Sequence, residues 1–247
     1  MVFNFERVKQ NIERVSSEGF LKHPKRKEFE DRLRESLEKL TWKVGWRQMH
    51  QEGEIKQKNL HRLANILVLA DGDVEGWSVM DIGCGSPDEG LYSREGQLYR
   101  YYEGWLPYKA EILKDLGAKV VGVDYRPNPS ASYEHRVGDF GEIYHYNRFK
   151  DYSVNEERER KVRETLKGEF DLVIGTSLVN DGLINGDSLG YDTLNILLGI
   201  CAKPQQIEYF DYIMHSFQET RQRCLWGLKR AGINLVSTKE DSIGFKE

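Results

Sequence analysis

Residues 77–85 read WSVMDIGCG, an apolar run that closes on an acid and a Gly-x-Gly turn. Continuous apolar residues of this kind suit a strand covered on both faces, where the in–out alternation of a half-exposed strand is lost. Gly83 and Gly85 then remove side chains where the chain has to turn sharply and a ligand would approach the backbone. Three later stretches share the texture: AKVVGVDY (118–125), HRVGDF (135–140) and FDLVIGTSL (170–178). PYKAEILKDLGA (107–118) lies between the first two strands, with Pro near its start and Gly117 at its end, and reads as an amphipathic helix. NEERERKVRETLKG (155–168) gives another between the third and fourth. Strands alternating with helices imply an open, mainly parallel sheet with helices on both faces, a Rossmann-like α/β fold.

Outward from that centre, residues 1–70 carry helical periods. Phe3, Phe5, Val8, Ile12 and Val15 recur at three- and four-residue steps, as do Leu33, Leu37 and Leu40, and then Leu60, Leu63, Ile66 and Leu67. Breaks at 19–24 and 45–53 divide them into three helices. The expected organisation is an N-terminal helical extension (1–70) and an α/β domain (71–247). Toward the C-terminus we expect a long helix over about 205–230 and a fifth strand at GINLVST (232–238). Only nine residues follow Thr238, too few for a further antiparallel pair. The sheet edge would then need cover from the N-terminal helices or from a second copy of the chain, a homodimer.

Composition narrows the partners. The chain has 247 residues, 31% charged and 39% apolar, with a formal charge of −4. Neither nucleic acid nor an anionic membrane is attracted globally by such a balance, and no apolar run is long enough to span a bilayer. The opening MVFNFERVKQNIERV has no apolar signal core, so a cytoplasmic location is expected. Lys22–Lys27, KHPKRK, is the one basic cluster, and the acids that follow it suggest a solvated helix start. Cys84, Cys201 and Cys224 lack metal-binding spacing and are read as reduced thiols, Cys84 as a small filler in the turn. No metal is expected.

Three acids mark strand ends: Asp81 ahead of the glycines, Asp124 after the second strand and Asp139 after the third. Singly each could cap a turn. Together they line the crevice where the carboxyl ends of an open parallel sheet take up ligands. They suit a ligand with a ribose, an adenine amine and a cationic centre. A dinucleotide fits poorly. The GxGxxG pattern would need glycine at Asp88, and Asp81 would repel a pyrophosphate.

These residues resemble the motifs of class I S-adenosylmethionine-dependent methyltransferases, over about 77–238. VMDIGCG is similar to the first motif, whose glycine turn packs against the methionine part of the cofactor, on Asp81, Gly83 and Gly85. VVGVDY is similar to the second, which implies that Asp124 accepts from the ribose hydroxyls with Tyr125 beside the adenine. VGDF resembles the third, which implies Asp139 on the adenine amine and Phe140 near the ring. LKRAGINLVST (228–238) resembles the turn and fifth strand. The cofactor implied is S-adenosylmethionine.

The chain departs from that pattern in the insertion SPDEGLYSREGQLYRYYEGW (86–105), which brings Tyr92, Tyr99, Tyr101, Tyr102 and Trp105 beside the crevice as a lid, a substrate wall or packing for the N-terminal helices. VNDGLINGDSLGYDT (179–193), after the fourth strand, is also long. Thr176, Ser177, Leu178 and Val179 stand where amino-methylating nucleic-acid enzymes carry Asn or Asp, Pro-Pro and an aromatic residue. No Pro-Cys pair offers a cytosine nucleophile. DNA is therefore disfavoured as acceptor, RNA remains open through Lys22–Lys27, and a small molecule or protein side chain is favoured. Asp181, then His135 and His145, are candidate bases for the acceptor's proton, and no catalytic residue is assigned. The competing reading is a cofactor-binding scaffold without turnover.

Overall fold

The computed structural model describes residues 3–41, 52–86, 90–94, 97–101, 107–124, 126–138, 144–145, 153–154, 156–175, 205–211, 232–237 and 241–245. In chain order the helices are α1 (Phe5–Glu18), α2 (Arg26–Thr41), α3 (Glu52–Leu69), α4 (Tyr108–Asp115) and α5 (Glu156–Thr165), with a 3₁₀ turn at Phe20–Lys22. The strands are β1 (Ser78–Ile82), β2 (Gly90–Arg94), β3 (Gln97–Tyr101), β4 (Lys119–Asp124), β5 (Glu134–Val137), β6 (Tyr144–His145), β7 (Ser153–Val154), β8 (Leu172–Gly175), β9 (Ile207–Asp211), β10 (Asn234–Ser237) and β11 (Asp241–Phe245).

Seven strands form one sheet in the order β10-β11-β9-β8-β1-β4-β5. From β9 to β5 every pairing is parallel, with β1 in register at Val79↔Val120 on one side and Val79↔Leu172 on the other. This is the open, mainly parallel Rossmann-like sheet that the sequence implies. Alternation along the strands separates the two faces. Val79, Leu172, Ile174, Ile207 and Tyr209 join the larger cluster, with buried residues of α1–α4. Met80, Ile82, Val121, Val123 and Val173 join the smaller one, with Val162 of α5, Leu166 and Phe170.

The C-terminal part corrects the sequence reading. Residues 207–211 are a strand where a helix over 205–230 is expected, and β9, not GINLVST, is the fifth parallel strand. GINLVST supplies β10, which turns back into β11. β11 runs antiparallel between β10 and β9, pairing Ile243 with Tyr209. The closing antiparallel pair is thus present, and the few residues after Thr238 suffice because β11 begins at Asp241, four residues after β10 ends. The argument for a second copy at the sheet edge falls away with it.

The helices of residues 1–70 lie against the sheet. Asn4 caps α1 by accepting from the Arg7 amide at 3.1 Å, and Gly19, at φ 82°, ends it. The buried Asn11 donates to the Leu69 carbonyl at 2.9 Å, tying α1 to the end of α3. Phe3 packs edge-on to Trp77 at the entry to β1, and Phe5 lies against Phe245 of β11. A buried polar chain runs from α2 to the sheet: Arg26 donates to Asn65, and Asn65 donates to the Tyr209 hydroxyl at 3.0 Å.

Candidate functional site

β1 ends in a turn that needs two left-handed residues, Gly83 at φ 71° and Gly85 at φ 94°. The turn is fastened to the neighbouring strand. Gly83 and Cys84 both donate their amides to the Val123 carbonyl, at 2.8 and 3.1 Å. The Gly85 amide donates to Asp124 Oδ2 at 3.0 Å. Ser86 Oγ then donates to the Pro127 carbonyl at 2.7 Å. Parallel pairing of β1, β4 and β5 brings their carboxyl ends to one edge of the sheet, and Gly138 donates to the Asp124 carbonyl at 2.9 Å. The chain therefore leaves β5 beside Asp124, immediately before Asp139. Tyr125, Asp139 and Phe140 themselves lie outside the described residues.

Asp124 is more enclosed than a residue facing open solvent, at 5% exposed. Its second oxygen, Oδ1, accepts from the Arg126 amide at 3.0 Å and from Arg126 Nε at 3.3 Å. One carboxylate thus clamps the glycine turn on one side and the β4–β5 connection on the other. A carboxylate has about four acceptor positions, so these three contacts leave room for about one further donor.

Asp81 is the anomaly. It is fully buried, and neither carboxylate oxygen has a hydrogen-bond partner among the described residues. Lys109 of α4, 6% exposed, places Nζ 3.7 Å from Oδ1. Burial pushes the Asp81 carboxyl up to about 6; Lys109 and Arg62 oppose that shift and Asp124 adds to it. A buried acceptor without donors costs free energy, and this one sits beside the glycine turn. α4 is itself held in place through the buried Glu111, which accepts from Ser132 Oγ at 2.6 Å and its amide at 3.2 Å.

Cys84 is a buried free thiol under the turn. Burial, and then the charges of Asp81 and Asp124, push it well above its ordinary value, so it stays protonated. Tyr133 donates to its sulfur at 3.6 Å. A Cβ on Gly122 would come within 2.4 Å of the Tyr133 ring and 2.8 Å of the Cys84 sulfur, so the absence of a side chain there makes room for both. His135 sits in the same cluster: Nε2 is 2.8 Å from the Arg126 carbonyl and Nδ1 is 3.8 Å from the Cys84 sulfur. That position turns its ring toward the turn's underside. Asp181 and the side chain of His145 lie outside the described residues, as do the side chains of residues 87–105 of the insertion. The insertion's backbone forms a hairpin, β2–β3, in which Tyr92 pairs with Tyr99 and Gly90 with Tyr101.

Sequence reasoning misses Lys109, Arg62, Gly122 and Arg126. Lys109 and Arg62 sit in helices where a cation reads as surface. Arg126 sits two residues after Asp124 in a loop, and only Gly122, a lone glycine inside a strand, signals a close approach. Among the described residues no group of three His, Cys, Asp or Glu could hold a metal ion.

No protein-family profile matches the chain, and no curated protein matches it. Solved structures are similar in fold. A TehB-like S-adenosylmethionine-dependent methyltransferase from Corynebacterium glutamicum is 14% identical, with a TM-score of 0.41, over 79% of this chain and 100% of that one. Magnesium protoporphyrin IX methyltransferase from Synechocystis, with bound S-adenosylhomocysteine, is 15% identical at a TM-score of 0.38, over 79% and 81%. The N-methyltransferase NodS from Bradyrhizobium japonicum is 9% identical at 0.40, over 80% and 99%. At such identities and TM-scores the likeness carries no weight for activity, which rests on this chain's own residues.

Proposed function

We propose that this protein is an S-adenosylmethionine-dependent methyltransferase whose acceptor is a small molecule or a protein side chain. The observation that carries the reading is the fully buried Asp81 carboxylate, without a hydrogen-bond donor among the described residues, at the base of a left-handed glycine turn clamped by Asp124. That donor set fits the cofactor. A buried anion suits a cationic ligand end, two glycines let it approach the backbone, and Asp124 retains about one acceptor position for a hydroxyl donor. Asp81, Gly83 and Gly85 would hold the methionine part. Asp124 would hold the ribose, with Tyr125, Asp139 and Phe140 around the adenine.

When bound, the sulfonium supplies a methyl group already activated for displacement. The protein's share is then to fix the acceptor in line and keep water out, and orientation alone is worth about 7–11 kcal/mol. Buried apolar residues under the turn, and the fixed geometry of the β1 and β4 ends, provide the rigid half of that arrangement. The chain lacks the Pro-Pro-aromatic sequence of amino-methylating nucleic-acid enzymes after β8, in keeping with an acceptor other than DNA. A cytoplasmic setting accords with the reduced Cys84, and no helix among the described residues is long and apolar enough to cross a membrane.

Incubating the protein with methyl-labelled S-adenosylmethionine and a fractionated lysate tests the activity. Label is expected in one fraction, and only with the intact protein. Binding without any transfer would favour the scaffold reading; no binding at all would overturn both.

A further inference from the structure

We propose that Lys109 is a positioning residue for the cofactor crevice: its buried ammonium keeps the neighbouring Asp81 carboxylate ionised and in place to receive a cationic ligand end. The inference rests on the reading of Asp81 as a cofactor-binding residue. Three observations carry it. Asp81 is wholly shielded from water, so its charge is not supported by solvent. No hydrogen bond from the described residues supports that charge either. Lys109 lies 3.7 Å away and is itself buried, on a helix fixed to the β4–β5 connection by Glu111.

The groups that bear on Asp81 come from each element around it. Lys109 of α4 and Arg62 of α3 favour its ionised form; Asp124 of β4 disfavours it. Asp81 in turn raises Cys84 and Tyr133, which remain neutral. Burial outweighs the two cations, since the carboxyl already lies near 6 with Lys109 present. Removing Lys109 takes away the first of the opposing charges. The carboxyl then moves further up, toward neutral pH, where a protonated Asp81 cannot attract a cation. A helix that follows an insertion in the chain thereby sets the pH range over which the glycine turn can bind.

The test is calorimetric titration with S-adenosylmethionine from pH 6 to 9 on the full-length protein, Lys109→Met, Lys109→Gln and Lys109→Arg. Each variant is expressed as a ratio to wild type at the same pH, which removes the ligand's own titration. Lys109→Met is expected to bind about threefold more weakly near pH 6.5 if the carboxyl rises by one unit of pKa, more if it rises further, and to approach wild type near pH 9. Lys109→Gln, which keeps a polar end without the charge, is expected to do the same and guards against loss of fold in the Met variant. Lys109→Arg is expected to follow wild type throughout. A loss of equal size at every pH, or an equal loss in the Arg variant, would overturn the inference while leaving the cofactor reading intact. Failure of wild type to bind at any pH would instead remove the cofactor reading itself.

Discussion

Asp81 is stored instability. Its folded-state value near 6 lies above the ordinary 3.8, so between those pH values the folded chain binds more protons than the unfolded one. Stability from this group is therefore greatest below about pH 4, falls as pH rises to about 6, and is flat above that. At roughly 1.4 kcal/mol per unit the loss is on the order of a few kcal/mol. Asp81→Asn should abolish that slope and raise the melting temperature of the empty protein at pH 7, while S-adenosylmethionine binding collapses. Melting curves from pH 4 to 8 with matched calorimetry check this, and a destabilised variant that binds normally would contradict it. Asp124 works differently, because it holds structure and, in the proposed site, would also take the ribose. Asp124→Ala strands the Gly85 and Arg126 amides, at about 1–3 kcal/mol for each buried donor left without a partner. The empty protein should melt earlier, and affinity should fall more than about a hundredfold, roughly 3 kcal/mol. Asp124→Asn should lose less of both. Lower melting with unchanged affinity would reduce Asp124 to a structural clamp.

The centre of the sheet was legible at the level of elements because its strands are unambiguous: apolar runs too short for helices, each ending in Gly or Asp. β1, β4 and β8 fall inside the stretches that the sequence marks, and β5 overlaps its own, starting one residue earlier at Glu134. The C-terminal elements were not, for a specific reason. In IEYFDYIMHSF (207–217) the residues Ile207, Phe210 and Met214 satisfy a helical period, while Ile207 and Tyr209 satisfy alternation. Periodicity cannot separate the two over so short a run. Gln205 at φ 62° marks the turn into β9, and nothing in its residue type announces it. β11 escaped because SIGF (242–245) is short and contains glycine, and its place in the sheet depends on β9 being there to pair with. Its weight can be measured. A chain ending at Glu240 loses the buried Ile243 and Phe245, worth about 1.5–3 kcal/mol each, and exposes the β9 edge. It should melt well below the full chain or aggregate. Unchanged melting would mean that β11 adds nothing.

For the whole molecule, the proposed cofactor crevice lies on a sheet whose other support is the helical N-terminal part. The sequence reads residues 1–70 as an extension because helical periods stop where strands begin. In the structure, Ile12, Leu33 and Leu63 share one apolar cluster with Val79, Leu172 and Tyr209. The Arg26–Asn65–Tyr209 chain satisfies polar groups buried where helices meet sheet. A fragment of residues 71–247 should accordingly be insoluble or molten when expressed alone, as judged by near-UV circular dichroism; a cooperative, cofactor-binding fragment would make the two parts separable. The central claim, that the glycine turn and its acids form an S-adenosylmethionine site, meets its most direct test in calorimetry of the full chain with S-adenosylmethionine and NAD side by side. The account predicts micromolar or tighter binding of S-adenosylmethionine and far weaker binding of NAD. Tight binding of NAD with no response to S-adenosylmethionine would contradict it.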